Sequence, residues 1–182
     1  MDLSKVSKGG QIFAGAGLIY LIASFLPWYT LDIPKELQGF ISDDSVNAWG
    51  DLGFLWGSLW ALLFLAGAVM LVLPAFGVAV PKLPAVAYLA VGGLATLFTL
   101  LKLLIGEDGP INAGYGLYLA VIAAAAAAFG GFMMFKESGG DLSDLKDMNK
   151  LKSQFGGSGG GGTPPPPPPP GMSPPPPPPP MG

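Results

Sequence analysis

The chain contains no cysteine, no histidine and no arginine, and only 12% of its 182 residues are charged. Without cysteine there is no disulfide, thiolate nucleophile, iron–sulfur ligation or cysteine-based zinc site. Without histidine the commonest metal ligand and the most used general acid–base group are missing. Without arginine there is no planar fork to clamp phosphate or carboxylate in two places. All nine basic residues are lysine, against twelve acidic ones, for a net charge of −3. That balance excludes nucleic acid as an expected partner. No catalytic set, cofactor site or metal site is expected, and the chain reads as a non-enzyme.

A soluble domain would carry about 25% charge, roughly twice what is present. The shortfall has two sources. Residues 156–182 are glycine, proline, serine, threonine and methionine, hold 14 of the 20 prolines and carry no charge. The preceding residues are rich in long apolar runs. A transmembrane helix needs about 20 mostly apolar residues, and four stretches qualify: 9–29, 52–73, 85–105 and 113–135. Loop chemistry separates them. Pro34 and Asp43-Asp44 lie in the first gap, Pro74, Pro81 and Pro84 in the second, and Gly106 to Pro110 in the third. The expected fold is an all-α membrane protein, a four-transmembrane-helix bundle over residues 1–137. A juxtamembrane segment (138–155) and a disordered proline-rich tail (156–182) follow. The first run has no small-residue cleavage site and reads as an uncleaved anchor.

Lysine placement sets the expected orientation. Lys5, Lys8, Lys82 and Lys136 fall on one side, with Lys146, Lys150 and Lys152 further along the tail. Both termini are therefore expected in the cytoplasm. The outward loops are acidic, through Asp32, Glu36, Asp43, Asp44 and Asp51 in the first and Glu107 and Asp108 in the third. All four tryptophans (Trp28, Trp49, Trp56, Trp60) lie at the outer ends of spans one and two, with Tyr115 and Tyr118 opening span four. This is the pattern of an interfacial aromatic girdle.

Small residues mark expected helix contacts: Gly15 and Gly17, Gly92 and Gly93, and the small-xxx-small pair Ala126 and Gly130. They either close a monomeric bundle or serve self-association or another membrane subunit. Lys102 is the one charge within a span, three residues from its end. An intramembrane charge is a functional candidate by default, as part of a transporter or channel pathway. Its position also allows it to snorkel to water or to Glu107 and Asp108. Asp43, Asp44 and Asp51 lack calcium-loop spacing and read as a solvated acidic loop. Gly114-x-Gly116 lacks the rest of a dinucleotide fingerprint and reads as packing.

In residues 141–155, Leu142, Leu145, Met148, Leu151 and Phe155 recur at helical spacing. The segment reads as an amphipathic helix on the inner leaflet or as a plain connector. Beyond it a glycine coil leads to two runs of seven prolines. Each run would form a polyproline II rod of about 22 Å, with three residues per turn. Pro164, Pro167 and Pro170, then Pro174, Pro177 and Pro180, are the expected contacts for a polyproline-binding cytoplasmic protein. Two copies on one leash would raise effective concentration at a multivalent partner. A spacer is the alternative.

Gly15-x-Gly17, Phe25-Leu26-Pro27-Trp28-Tyr29, Asn47-Ala48-Trp49 and Gly114-Tyr115-Gly116-Leu117-Tyr118, with the Gly130-Gly131 exit, give a recurring pattern. It resembles small four-span integral membrane proteins of bacteria, over residues 8–137. The resemblance implies a four-span topology in a bacterial plasma membrane and no particular activity; the proline tail lies outside it. Tetraspan junction proteins share the number of spans, but their loop cysteines are absent here. The expected function is a membrane scaffold or accessory subunit that recruits a partner through its tail. The alternatives are a small transporter or channel using Lys102 and a structural subunit of a larger membrane complex.

Overall fold

A computed structural model describes residues 6–31, 45–50, 54–106 and 111–140. The outer-loop acids Asp32, Glu36, Asp43, Asp44, Asp51, Glu107 and Asp108 lie outside these residues, as do the amphipathic run 141–155 and the tail with Pro164, Pro167, Pro170, Pro174, Pro177 and Pro180.

Four α-helices make up most of the described chain: α1 (Lys8–Phe25), α2 (Ser58–Val72), α3 (Ala85–Ile105) and α4 (Tyr115–Glu137). A short 3-10 helix, Leu73–Phe76, extends α2. Three helical stretches, Ser58–Phe76, Ala85–Ile105 and Tyr115–Glu137, are long and apolar enough to cross a membrane. Helix α3 coincides with the expected third span. Span four is displaced by two residues at each end, and span two starts its helix at Ser58 rather than near residue 52.

The expected first span, 9–29, is too long at its C-terminal end. Helix α1 stops at Phe25, because Pro27 lacks an N–H and biases the residue before it toward extended backbone. Leu26 is extended accordingly. Trp28 and Tyr29 then leave the helix altogether. Tyr29–Leu31 forms strand β1, which pairs antiparallel with β2 (Ser45–Val46) on one side and β3 (Ile111–Ala113) on the other. The resulting three-stranded sheet has the order β2-β1-β3. The sequence reading placed Tyr29 in span one, Ala113 in span four and the remaining strand residues in loops; strands of two and three residues are too short to show a period of two.

The helix packing has a thin side and a thick side. Helix α1 lies along α4 and α2, and α4 lies along α3, whereas the contact between α2 and α3 is slight. Where α4 meets its neighbours, small residues face them. Ala120, Ala123, Ala124, Ala127, Gly130 and Gly131 are all buried. A Cβ on Gly92 would stand 2.6 Å from the Cα of Ala128, and one on Gly130 would stand 2.7 Å from the backbone nitrogen of Phe13. Such close backbone approach substitutes for the hydrophobic driving force that lipid does not provide. On the thick side the space is filled by rings. Phe13 meets Phe64 and Tyr88 edge-on at centroid distances of 5.5 and 5.1 Å. Trp60 meets Phe98 at 5.3 Å.

Of the small residues singled out in the sequence, Gly17, Gly92 and Gly130 pack within the chain. Gly17 sits against Phe64, with a Cβ placed 3.1 Å from that of Phe64. Gly15 and Gly93 do not pack within the described chain: a Cβ on either would meet nothing within 4 Å. Each falls on the outward side of its helix. Ala126 is half-buried, while Ala123 and Ala127 are fully covered.

The outward surface is apolar. Leu18, Ile22, Leu62, Leu97, Leu104, Ile122 and Phe129 are all exposed, and α1, α2, α3 and α4 each contribute. The polar groups are inside. The Tyr20 hydroxyl pairs with the Thr99 hydroxyl at 3.0 Å, and Thr99 donates to the Ala95 carbonyl at 2.7 Å. Among the described residues, no buried side-chain nitrogen or oxygen lacks a partner.

Substituting Gly92 by alanine is expected to lower unfolding stability in detergent by about 1–3 kcal/mol, the usual range for overpacking. Gly93→Ala should change it by less than about 1 kcal/mol, with any shift upward from helix propensity. Denaturant titration of both variants measures the contrast.

Candidate functional site

Three of the segments that carried the sequence resemblance, residues 25–29, 47–49 and 114–118, converge at one end of the bundle. At their centre stands Pro27-Trp28-Tyr29. Trp28 donates its backbone N–H to the Val46 carbonyl at 2.8 Å, and its own carbonyl accepts from Gly114 at 2.7 Å. The Pro27 carbonyl accepts from the N–H of Gly116 at 2.9 Å. Gly114 is the N-cap of α4, so two orphan donors at that helix start are met by the chain leaving α1. A Cβ on Gly116 would stand 2.7 Å from the Pro27 oxygen. Gly114-x-Gly116 thus permits backbone contact, in line with its reading as packing.

The C-terminal carbonyls of α1 are satisfied in the same place. The Trp28 indole donates to Ala23 at 2.9 Å, the Ser24 hydroxyl to Leu21 at 2.6 Å, and the Ala48 N–H to Ser24 at 3.1 Å. The Trp49 indole then donates to the Ser24 hydroxyl at 2.8 Å, while its ring stacks on Phe25 at 5.3 Å. Ser58, at the start of α2, donates to the Ala48 carbonyl at 3.1 Å. Gly57 leaves room for the Trp28 ring, which a Cβ would approach to 2.8 Å. Trp28 is fully buried and Trp49 exposed. Burial of Trp28 departs from a girdle position, because its N–H serves the helix end rather than headgroups.

Lys102, read from the sequence as either a pathway charge or a snorkelling one, completes the group. It is only 7% exposed. Its ammonium lies 5.6 Å from the centre of the Tyr29 ring and 5.3 Å from that of Trp56. The Tyr29 hydroxyl donates to the backbone carbonyl of Lys102 at 2.7 Å. Rings with a negative face can hold a cation away from bulk water, at about 0.5–2 kcal/mol per contact. The lysine therefore fastens the end of α3 to β1 and to the chain entering α2. Aromatic residues near Lys102 in space come from residues 29 and 56, far from it in sequence, and nothing in the local pattern around residue 102 signals them.

Among the described residues, no group of histidine, cysteine, aspartate or glutamate is placed to hold a metal ion. Comparison with family models, curated proteins and solved structures finds no match. The geometry itself shows a cap in which hydrogen bonds and ring contacts close one end of the bundle.

Trp56→Leu should cost about 1–2 kcal/mol of stability, because it removes one of the two rings that face the ammonium. In a Lys102→Met background the same change should cost less, giving a coupling of about 1 kcal/mol in a double-mutant cycle. Zero coupling would mean that the Trp56 ring is only a neighbour.

Proposed function

We propose that this chain is a four-span, non-enzymatic membrane scaffold or accessory subunit. Both termini lie in the cytoplasm, and the tail recruits a polyproline-binding cytoplasmic protein. The observation that carries this reading is the doubled seven-proline run, joined to a bundle in which, among the described residues, every buried side-chain nitrogen and oxygen has a hydrogen-bond partner. A rod already in its bound conformation loses little entropy on docking.

The fourth span is α1. Support comes from its packing along the length of α4, from Gly9 beside Met134 to Leu26 beside Gly116. Its outward residues Leu18, Ile19, Ile22 and Phe25 are apolar and exposed. Lys8 and Lys136 share the end opposite the cap, which favours placing that end in the cytoplasm. A bacterial plasma membrane fits the sequence resemblance.

The transporter or channel reading has less support, because Lys102 sits in the last turn of α3 and faces two rings. The reading as a subunit of a larger membrane complex, or as a homo-oligomer, gains from Gly15 and Gly93. Both are small, outward-facing and open to a neighbouring helix.

Co-purification of the full chain and of a chain lacking residues 156–182, from native membranes in mild detergent, tests the proposal. Deletion should remove specific soluble proteins and leave membrane-embedded ones in place. An unchanged set would refute recruitment by the tail.

A further inference from the structure

At the end opposite the cap, the helices enclose a cleft of about 280 Å³, lined in part by Ser7, Leu71, Val80, Lys82, Leu83 and Met134. Helices α2 and α4, the chain entering α1 and the connection before α3 all contribute. Apart from Ser7, Lys82 and Tyr88, the lining side chains are apolar. Its size lies just below the range for ligand cavities that enclose a whole small molecule, about 300–1,000 Å³. It can take part of one long apolar chain, with the remainder left in the bilayer.

Charge and depth specify the occupant. Lys82 lies between Pro81 and Leu83, three residues before α3 begins at Ala85. It therefore stands at the level where hydrocarbon gives way to headgroups. Lys8 and Lys136 belong to the same end of the bundle, since Gly9 abuts Met134. The acidic residue that accompanies them among the described residues is Glu137. An exposed ammonium above an apolar slot is complementary to a negatively charged phosphate carrying a hydrocarbon chain.

We propose that this cleft binds an anionic phospholipid, with its phosphate at Lys82 and the upper methylenes of one acyl chain between Leu71 and Leu83. The site lies apart from the tail and the cap, and depends only on the bundle's being embedded in a membrane. A lysine at a membrane surface favours an anionic lipid by about fivefold.

Native mass spectrometry of the full chain, titrated with phosphatidylglycerol or with phosphatidylcholine of the same acyl chains, tests this. Phosphatidylglycerol should be retained about fivefold more tightly. Lys82→Gln should abolish the preference, and Lys136→Gln should leave it intact. Leu83→Trp changes a rim residue that is 44% exposed; it should narrow the slot and reduce retention of both lipids. Equal retention of the two lipids would overturn the proposal, as would a Leu83→Trp chain that holds both as well as before. A loss in Lys136→Gln matching that in Lys82→Gln would make the effect a general surface charge. Displacement by glycerol phosphate alone would assign the cleft to a free phosphate. The chain has no native cysteine, so a disulfide formed readily between Leu83→Cys and Leu145→Cys would show the chain's own segment in the slot, also overturning the assignment.

Discussion

A helix that ends in or near a membrane leaves carbonyls that water does not reach, and each unmet polar group costs several kcal/mol. The structure meets this constraint at one tripeptide. Pro27 ends α1 and cannot donate. Its carbonyl and that of Trp28 then supply the start of α4, while the Trp28 N–H reaches Val46 and the indole returns to Ala23. Tyr29 extends the same device to α3 through the Lys102 carbonyl. Three helix ends and two sheet pairings therefore depend on how residues 27–29 lie. The start of α2 joins them through Ser58 and Gly57.

The interior follows a second rule, set by separation. Alanine and glycine let α1 and α3 approach α4 until backbone meets backbone. The distance between α2 and α3 is consequently left wide, and Phe13, Phe64, Tyr88, Trp60 and Phe98 fill it. The small residues and the large rings are two solutions to one packing problem. The Tyr20–Thr99 bond adds a polar tie between α1 and α3 with no unpaired atom.

Much of the helical part was legible in the sequence, because a long apolar run bounded by prolines has few alternatives. Span three matched its helix at both ends. The C-terminal boundary of α1 was not legible despite Pro27, since Trp28 and Tyr29 are apolar enough to continue the run. The sheet was not legible: strands of two or three residues are held by partners from three separate segments. Nor was the role of Lys102, whose rings come from residues 29 and 56. Glycine alone does not say which way it faces, so Gly17 and Gly92 pack inside while Gly15 and Gly93 point out. In the sequence the FLPWY, NAW and GYGLY segments form only a pattern, and their meeting in space gives that pattern a physical reason.

The central claim is that residues 27–29 hold the cap as one unit. Hydrogen exchange of the Trp28→Ala chain in detergent, followed amide by amide, tests it most directly. Protection should fall together at Ala48, Gly114 and Gly116, the amides that donate to Ser24, Trp28 and Pro27, while mid-helix amides of α3 and α4 keep theirs. Loss confined to residues 26–30, with Ala48, Gly114 and Gly116 still protected, would contradict it.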